Sequence, residues 1–185
     1  GEKRRIAVFA ENASETALAH LGGLFGGASS VPVNFHLTAE EASYILKDSE
    51  SQILFVDDKT AERAIQAAKE AGIALIIGWE CQEYAEITDW EDWLLSGSPD
   101  PCPDEVVPRP NLLYTSGTTG LPKGTELPPT MFAGGTTMTE HIEGLSQSGF
   151  AAFGTHLVVG PMYHTGPLSG MRLLTLGIPS VILGR

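Results

Sequence analysis

The chain has 185 residues, with 23 Asp and Glu, 11 Lys and Arg, and a formal net charge of −12. Hydrophobic residues make up 42% of it and charged residues 18%, which is typical of a globular protein rather than a disordered one. Nucleic-acid phosphates and anionic membranes repel a net polyanion, so neither is expected as a partner.

The sequence also bears on cellular context. Its apolar runs are far shorter than the roughly 20 residues of a transmembrane segment, and none has the form of a signal peptide. The two cysteines, Cys81 and Cys102, cannot build a disulfide framework and match no zinc spacing. We therefore expect a reduced, cytoplasmic protein.

In chain order, the first half alternates apolar runs with helical segments. Buried strands are predicted at 6–10, 30–33, 52–56 and 73–79, and helices at 12–25, 38–46 and 59–71. The predicted helix caps are Asn12 with Glu15, Thr38 with Glu41, and Asp57 or Asp58. Apolar strands joined by helices predict an α/β fold, with mostly parallel sheets and helices on both faces.

The middle of the chain is acidic and rich in proline. From Glu70 to Pro108 there are ten acidic residues and no Lys or Arg, and five prolines lie within 99–110. We interpret the acidic residues as a solvated surface, with a metal or a basic partner as the alternative. A short helix is predicted at 89–95, with Trp90 and Trp93 facing inward. The proline spacing then predicts a linker, which divides the chain into units 1–98 and 111–185.

The second unit repeats the alternation. Strands are predicted at 111–115, 155–159 and 180–183, and helices from Thr130 to about Gln147 and at 168–176. Between the first strand and the first helix lies the segment Tyr114–Gly124, YTSGTTGLPKG. Its glycines, hydroxyl groups and lysine suit the binding of a polyphosphate. It is not a Walker A loop, because Pro122 precedes Lys123 and Gly124 follows it; a plain flexible turn is the alternative.

This segment resembles the phosphate-binding signature of the adenylate-forming enzymes, a superfamily of acyl-CoA synthetases, luciferases and peptide-synthetase adenylation domains. Two further stretches resemble motifs of the same family: 23–34, with its Val-Pro strand, and 161–166, Pro-Met-Tyr-His-Thr-Gly. The resemblance spans nearly the whole chain, and the acyl-CoA synthetase branch fits best.

The resemblance implies a two-step reaction. A carboxylate, expected to be a fatty acid, attacks the α-phosphate of ATP in the presence of Mg²⁺, and the thiol of coenzyme A then displaces AMP. Two alternatives remain: a fatty-acyl-AMP ligase that loads a carrier protein, and a non-catalytic nucleotide-binding or interaction fragment. A homo-oligomer is compatible with each of these.

The resemblance also assigns residues. The triphosphate is assigned to Thr115, Ser116, Gly117, Thr118, Thr119, Gly120 and Lys123, with Thr115 also a metal contact. Lys123 and His164 are the candidate catalytic residues. His164 taken alone would be interpreted as structural, and only its motif places it beside the acyl carboxylate. The remaining histidines are interpreted as structural: His20, His36, His141 and His156.

The chain departs from the family in two respects. Many relatives have a Thr-His pair shortly after the phosphate signature, whereas here the run 125–130 ends in Pro128-Pro129-Thr130. The adenine and ribose motifs, the metal-binding Glu and the C-terminal lid domain are not in the sequence. We therefore expect an incomplete part of the large N-terminal domain, inactive alone. The acyl pocket is expected to involve the helix from Thr130 and the segment after His164.

Overall fold

A five-stranded parallel sheet forms the centre of the first half of the protein. The computed structural model describes residues 4–115, 121–127, 133–148 and 154–184. The strands follow the order β2-β1-β3-β4-β5, and all neighbouring strands are parallel. Their bounds are β1 Arg5–Phe9, β2 Ser29–Pro32, β3 Ile53–Asp57, β4 Leu75–Trp79 and β5 Thr88–Asp89. The predicted α/β class is confirmed.

Helices cover both faces of this sheet. They are α1 Ser14–Phe25, α2 Ala39–Asp48, α3 Ala61–Ala71 and α4 Trp90–Leu95. Successive residues of a strand point to opposite faces, so Ala7 and Phe9 of β1 pack with α2 and α3, while Ile6 and Val8 pack on the side of α1 and α4. Burial on both faces explains why the strands are continuous apolar runs.

The capping box predicted at the start of the second helix is confirmed. Thr38 accepts a hydrogen bond from the Glu41 backbone N–H, and the Glu41 carboxylate accepts one from the Thr38 N–H, which is a complete capping box. Gly72 ends α3 with a φ of 75°, the left-handed conformation that favours glycine.

The tryptophans of α4 also face inward as predicted. Trp90 is buried and Trp93 half-buried, and the Phe55 ring packs edge-on against both.

The other two predicted caps are wrong. Helix α1 begins at Ser14, its N-cap is Ala13, and the Asn12 side chain is engaged elsewhere. Helix α3 begins at Ala61 rather than Lys59, and its N-cap is Thr60.

Asp57 forms hydrogen bonds with the capping residue Thr60 instead of capping α3 itself. Its carboxylate accepts hydrogen bonds from the Thr60 N–H at 2.9 Å and from the Thr60 hydroxyl at 2.8 Å. These bonds form a turn at the end of β3 and delay the helix start.

The described residues of the second half form two small sheets and two helices. Strands β6 (Leu112–Thr115) and β7 (Lys123–Glu126) are antiparallel, and β8 (His156–Val158) and β9 (Ser180–Ile182) are parallel. The helices are α5 (Met138–Ser146) and α6 (Thr165–Met171), and a 3₁₀ turn at Arg172–Leu176 follows α6. Within the described ranges, no helix is long and apolar enough to cross a membrane.

Two predictions for this half are corrected. The phosphate-signature segment lies in a β-hairpin rather than between a strand and a helix, because the backbone after Pro122 pairs with β6. The helix predicted from Thr130 begins at Met138. Gly134 and Gly135 have φ values of 72° and 98°, which interrupt a helix, and Thr137 caps the new start by accepting from the Glu140 N–H. Positions 128–132 lie outside the described residues.

Candidate functional site

A cleft of about 370 Å³ lies between the first sheet, the β6–β7 hairpin and the turn before α6. Four parts of the chain contribute to it: the end of β2, helix α2 with the loop before it, the hairpin, and the residues that precede α6. Its lining residues are Pro32, Asn34, Leu37, Ile45, Tyr114, Thr115, Pro122, Tyr163 and His164. The cleft thus joins all three stretches that the sequence singled out.

The hairpin aligns two of the predicted phosphate contacts. Thr115 and Lys123 are directly opposite each other in the antiparallel register, and both are exposed. Side chains of directly opposed residues project from the same face, with Cβ atoms about 5 Å apart. The Thr115 hydroxyl and the Lys123 ammonium therefore lie on one side of the hairpin. The residues between them, Ser116, Gly117, Thr118, Thr119 and Gly120, are outside the described residues.

Helix α2 anchors the base of this hairpin through two tyrosine hydrogen bonds. The Tyr44 hydroxyl donates to the carbonyl oxygen of Pro122 at 3.1 Å, and the Tyr114 hydroxyl donates to the Asp48 carboxylate at 2.6 Å. Burial, together with this bond to Asp48, raises the pKa of Tyr114, so its hydroxyl stays a donor at neutral pH. The base of the hairpin is therefore coupled to the first sheet through α2.

His164 reaches the cleft from a tight turn. The His164 N–H donates to the Pro161 carbonyl oxygen at 3.0 Å, and α6 begins at the next residue. The Tyr163 ring packs edge-on against Phe35 at 5.2 Å between ring centres, and the His164 ring lies 4.3 Å from the Tyr163 ring. His164 is exposed and its side chain does not cap α6, so its imidazole is accessible from the cleft.

Sequence reasoning missed several members of this site. Asn34 lies just past the carboxyl end of β2, an edge where parallel sheets commonly bind ligands, and this position could have indicated it. Its side-chain oxygen accepts from the His36 N–H at 3.0 Å, which shapes the loop. Tyr44 and Asp48 gave no local signal, because their hairpin partners are distant in the sequence.

The cleft has few donor atoms for a metal ion among its described residues. The described parts of the chain contain no group of three or more His, Cys, Asp or Glu side chains arranged to hold a metal ion. At the cleft, Thr115 offers one hydroxyl oxygen, whereas Mg²⁺ needs octahedral oxygen coordination. Within the part of the chain that the structure describes, the side chains at the cleft alone do not form a Mg²⁺ site.

Asp57 and His20 have structural partners. In addition to the Thr60 groups, the Asp57 carboxylate accepts from the Glu11 N–H at 2.7 Å. His20 is buried and hydrogen-bonded to Ser30, and burial, with a smaller contribution from Arg172, lowers the pKa of His20 to about 3. Both residues stabilise the fold around β1 rather than line the cleft.

Comparison with known proteins identifies the family to which this chain belongs. The model of the AMP-binding enzyme family matches residues 1–184. The chain belongs to the AMP-binding enzyme family, and the resemblance to adenylate-forming enzymes is confirmed.

Two curated relatives and one solved structure show the extent of the similarity. The chain is 39% identical over 113 residues to a fatty acid–[acyl-carrier-protein] ligase, ScoC, of Streptomyces coeruleorubidus, a match to 56% of this chain and 20% of that protein. It is 30% identical over 201 residues to the medium-chain acyl-CoA ligase Mig of Mycobacterium avium, covering 93% of this chain and 34% of the relative. The crystal structure of a long-chain-fatty-acid–CoA ligase, FadD1, from Archaeoglobus fulgidus matches with a TM-score of 0.74 at 23% identity, over 99% of this chain and 36% of that one. The chain thus spans about a fifth to a third of the length of these two curated relatives.

Proposed function

We propose that this chain supplies the phosphate-binding part of an ATP-dependent fatty acid–CoA ligase. The observation that carries the proposal is the cleft, in which the phosphate-signature hairpin faces the turn that bears His164. Membership of the AMP-binding enzyme family and the names of relatives such as Mig support this reaction class.

The first step of the proposed reaction joins two anions. A carboxylate oxygen attacks the α-phosphorus of ATP, the bond to the β-phosphate oxygen breaks, and pyrophosphate leaves with that electron pair. In the second step the coenzyme A thiolate attacks the acyl carbon, and AMP leaves with its phosphate oxygen. Both steps need positive charge and donors aimed at phosphate oxygens.

The hairpin offers those groups. Thr115 and Lys123 project from the same face, so one hydroxyl and one ammonium are available to the same phosphate chain. We assign the triphosphate to them and to residues 116–120. No acidic residue occurs between Asn111 and Thr125, although the protein carries a net charge of −12. Thr115 would be the protein contact of a Mg²⁺ ion bound with ATP, and that ion would neutralise phosphate charge.

His164 occupies the opposite side of the cleft. We assign it to the acyl carboxylate and the adenylate, because its exposed ring lies beside Tyr163 and His164 lines the same cleft as Thr115. A His side chain there donates a hydrogen bond to a carboxylate oxygen or to the acyl carbonyl of the adenylate. The apolar lining from Leu37 and Ile45 accommodates the less polar parts of the ligand.

The experiment compares two lysine substitutions in the full encoded protein. Carboxylate-dependent exchange of labelled pyrophosphate into ATP should fall by about 100-fold in Lys123→Ala, because phosphate charge loses its cation. Lys69→Ala removes an exposed lysine from the last turn of α3 and is the matched control, expected to keep wild-type exchange. Exchange that survives Lys123→Ala at the control level would contradict the proposal.

The acyl acceptor is a separate question, and ScoC, a ligase for acyl-carrier protein, makes a carrier protein the second candidate. After exchange is established, the two acceptors are compared by the formation of acyl-CoA and of acylated carrier protein. Acylated carrier protein without acyl-CoA would favour the second candidate. Binding of ATP with no exchange for any carboxylate would favour the non-catalytic alternative.

A further inference from the structure

We propose that Asn12 is a positioning residue for the turn that carries His164, an inference that rests on the proposed function. Asn12 follows β1, and its side-chain amide donates to the carbonyl oxygens of Gly160 at 2.9 Å and Leu183 at 3.2 Å. Its side-chain oxygen accepts from the Met162 N–H at 2.8 Å. One half-buried side chain thus makes three hydrogen bonds to backbone groups 148 to 171 residues away.

The location of these bonds is informative. The sheet order 2-1-3-4-5 reverses at β1, and doubly wound sheets bind ligands in the crevice at that point, beyond the carboxyl ends of the strands. Here Asn12 holds the chain's own backbone there, just past the ends of β8 and β9. Asp57, at the end of β3, is bonded to the Glu11 N–H and to Thr60. We infer that the crevice serves as an anchor for the segment 160–164.

This anchor acts on His164 through a short path. The Met162 N–H is held by Asn12, the Met162 side chain is buried against Ala17, Val158 and Met171, and the His164 N–H closes the turn onto Pro161. Without the Asn12 amide, the Gly160 carbonyl and the Met162 N–H lose their bonds at the start of the turn. A displacement of about 1 Å at His164 is enough to lower a positioned reaction strongly.

The opposite side of the cleft is held differently, which makes the proposal specific. The phosphate hairpin is anchored on α2 by Tyr44 and Asp48, and the bonds of Asn12 do not include the hairpin. Loss of Asn12 should therefore disturb the carboxylate step while ATP binding is retained. Substitution of a residue that only stabilised the fold would weaken the carboxylate step and ATP binding together.

The test uses Asn12→Ala and Asn12→Asp in the full encoded protein, with Thr16→Val as matched control. The Thr16 hydroxyl donates to the Glu11 carbonyl oxygen at 2.5 Å, so this control removes a neighbouring, partly buried hydrogen bond that does not involve the His164 turn. Three quantities are measured. The first is the hydrogen-exchange rate of the Met162 amide. The other two are kcat/KM for the carboxylate in pyrophosphate exchange and the equilibrium Kd for ATP, which are compared with each other.

In Asn12→Ala we expect Met162 amide exchange to rise by about 10-fold and carboxylate kcat/KM to fall by about 10-fold, with the Kd for ATP within about two-fold of wild type. Asn12→Asp keeps the acceptor for Met162 but loses both donated bonds, so Met162 should remain more protected than in Asn12→Ala. In Thr16→Val, kcat/KM for the carboxylate and the Kd for ATP should keep the same ratio to each other as in the wild type.

Two results would overturn the proposal: a Met162 amide that exchanges at the wild-type rate in Asn12→Ala, or equal losses for carboxylate and ATP. A wild-type protein without any pyrophosphate exchange would instead overturn the proposed function. The amide measurement would then still decide whether Asn12 holds the turn.

Discussion

The hydroxyl of Tyr44 donates a hydrogen bond to the carbonyl oxygen of Pro122, so helix α2, which packs on the first sheet, holds the phosphate-signature segment at Pro122. Tyr114, at the other side of the same hairpin, is bonded to Asp48 one helical turn later. The two bonds together fix both strands of the hairpin at the point where the loop leaves them.

The first prediction concerns these bonds. Tyr44→Phe and Tyr114→Phe each remove one hydroxyl while keeping the ring, and each lost bond is worth about 1 kcal/mol, or about a five-fold change in an equilibrium constant. We expect the Kd for ATP to rise by about that factor in each variant, measured by equilibrium dialysis. An unchanged Kd in both variants would show that the hairpin holds its position without α2.

The second prediction concerns Gly78 in β4. A Cβ added there would lie 2.7 Å from a methyl carbon of Ile87, 2.9 Å from the sulfur of Cys81 and 3.0 Å from a methyl carbon of Val56. Gly78→Ala should therefore lower the free energy of unfolding by about 1–3 kcal/mol in a urea titration.

Gly22 provides the matched control. It lies inside α1, and a Cβ there meets nothing within 4 Å. Gly22→Ala should raise the free energy of unfolding by about 0.5–1 kcal/mol, because alanine loses less backbone entropy in a helix. Equal effects of the two substitutions would contradict the packing argument at Gly78.

The third prediction concerns acid stability. Burial, and secondarily the charge of Arg172, lowers the pKa of His20 from an ordinary 6.5 to about 3. The unfolded chain therefore binds a proton below pH 6.5 that the native state binds only near pH 3, so stability is lost as pH falls through this window. As the pH falls from 7.5 to 5, His20 should lower the free energy of unfolding by about 2 kcal/mol.

Urea titrations at the two pH values provide the measurement. His20→Gln should remove this part of the acid loss, because glutamine does not titrate. Ser30→Ala deletes the hydrogen-bond partner of His20 but keeps the imidazole, so it should retain the loss. A His20→Gln protein with the wild-type pH dependence would be inconsistent with a neutral, buried His20.

The fourth prediction concerns the thiols. Cys81 is buried, and this burial, with the charges of Asp57 and Asp58 next in effect, raises its pKa to about 12. Cys102 is exposed, although partial burial also raises its pKa. The thiolate is the reactive form of a cysteine, so native Cys102 should react with a disulfide reagent first, and its reaction should be faster as pH rises. Cys81 should react only after the protein unfolds.

Single substitutions separate the two thiols. Cys102→Ser should abolish the native reaction, and Cys81→Ser should leave it intact. Rapid labelling of Cys81 in the native protein would contradict the buried position of that side chain.

The features that sequence predicted well are those with local causes. The capping box of Thr38 and Glu41 lies within four residues, and the buried strands follow from apolar runs. The phosphate signature was likewise recognisable from its own residues.

The features that sequence predicted wrongly depend on distant partners. Asn12 has the residue type of a helix cap, but its side chain instead forms hydrogen bonds with three backbone groups more than 140 positions away. Strand β7, with the sequence Lys-Gly-Thr-Glu, has little strand preference of its own and forms because β6 supplies its ladder of hydrogen bonds. Tyr44 and Asp48 belong to the site for the same reason.

The bonds of Asn12 also bear on the order of folding. A contact between residues 148 to 171 positions apart closes a very long loop, whereas the first sheet and the hairpin form from nearer neighbours. We therefore expect the cleft to be completed late, when the segment around Met162 docks on a sheet that already exists. We also expect this contact to be lost early in partial unfolding, so that the cleft opens before the sheet does.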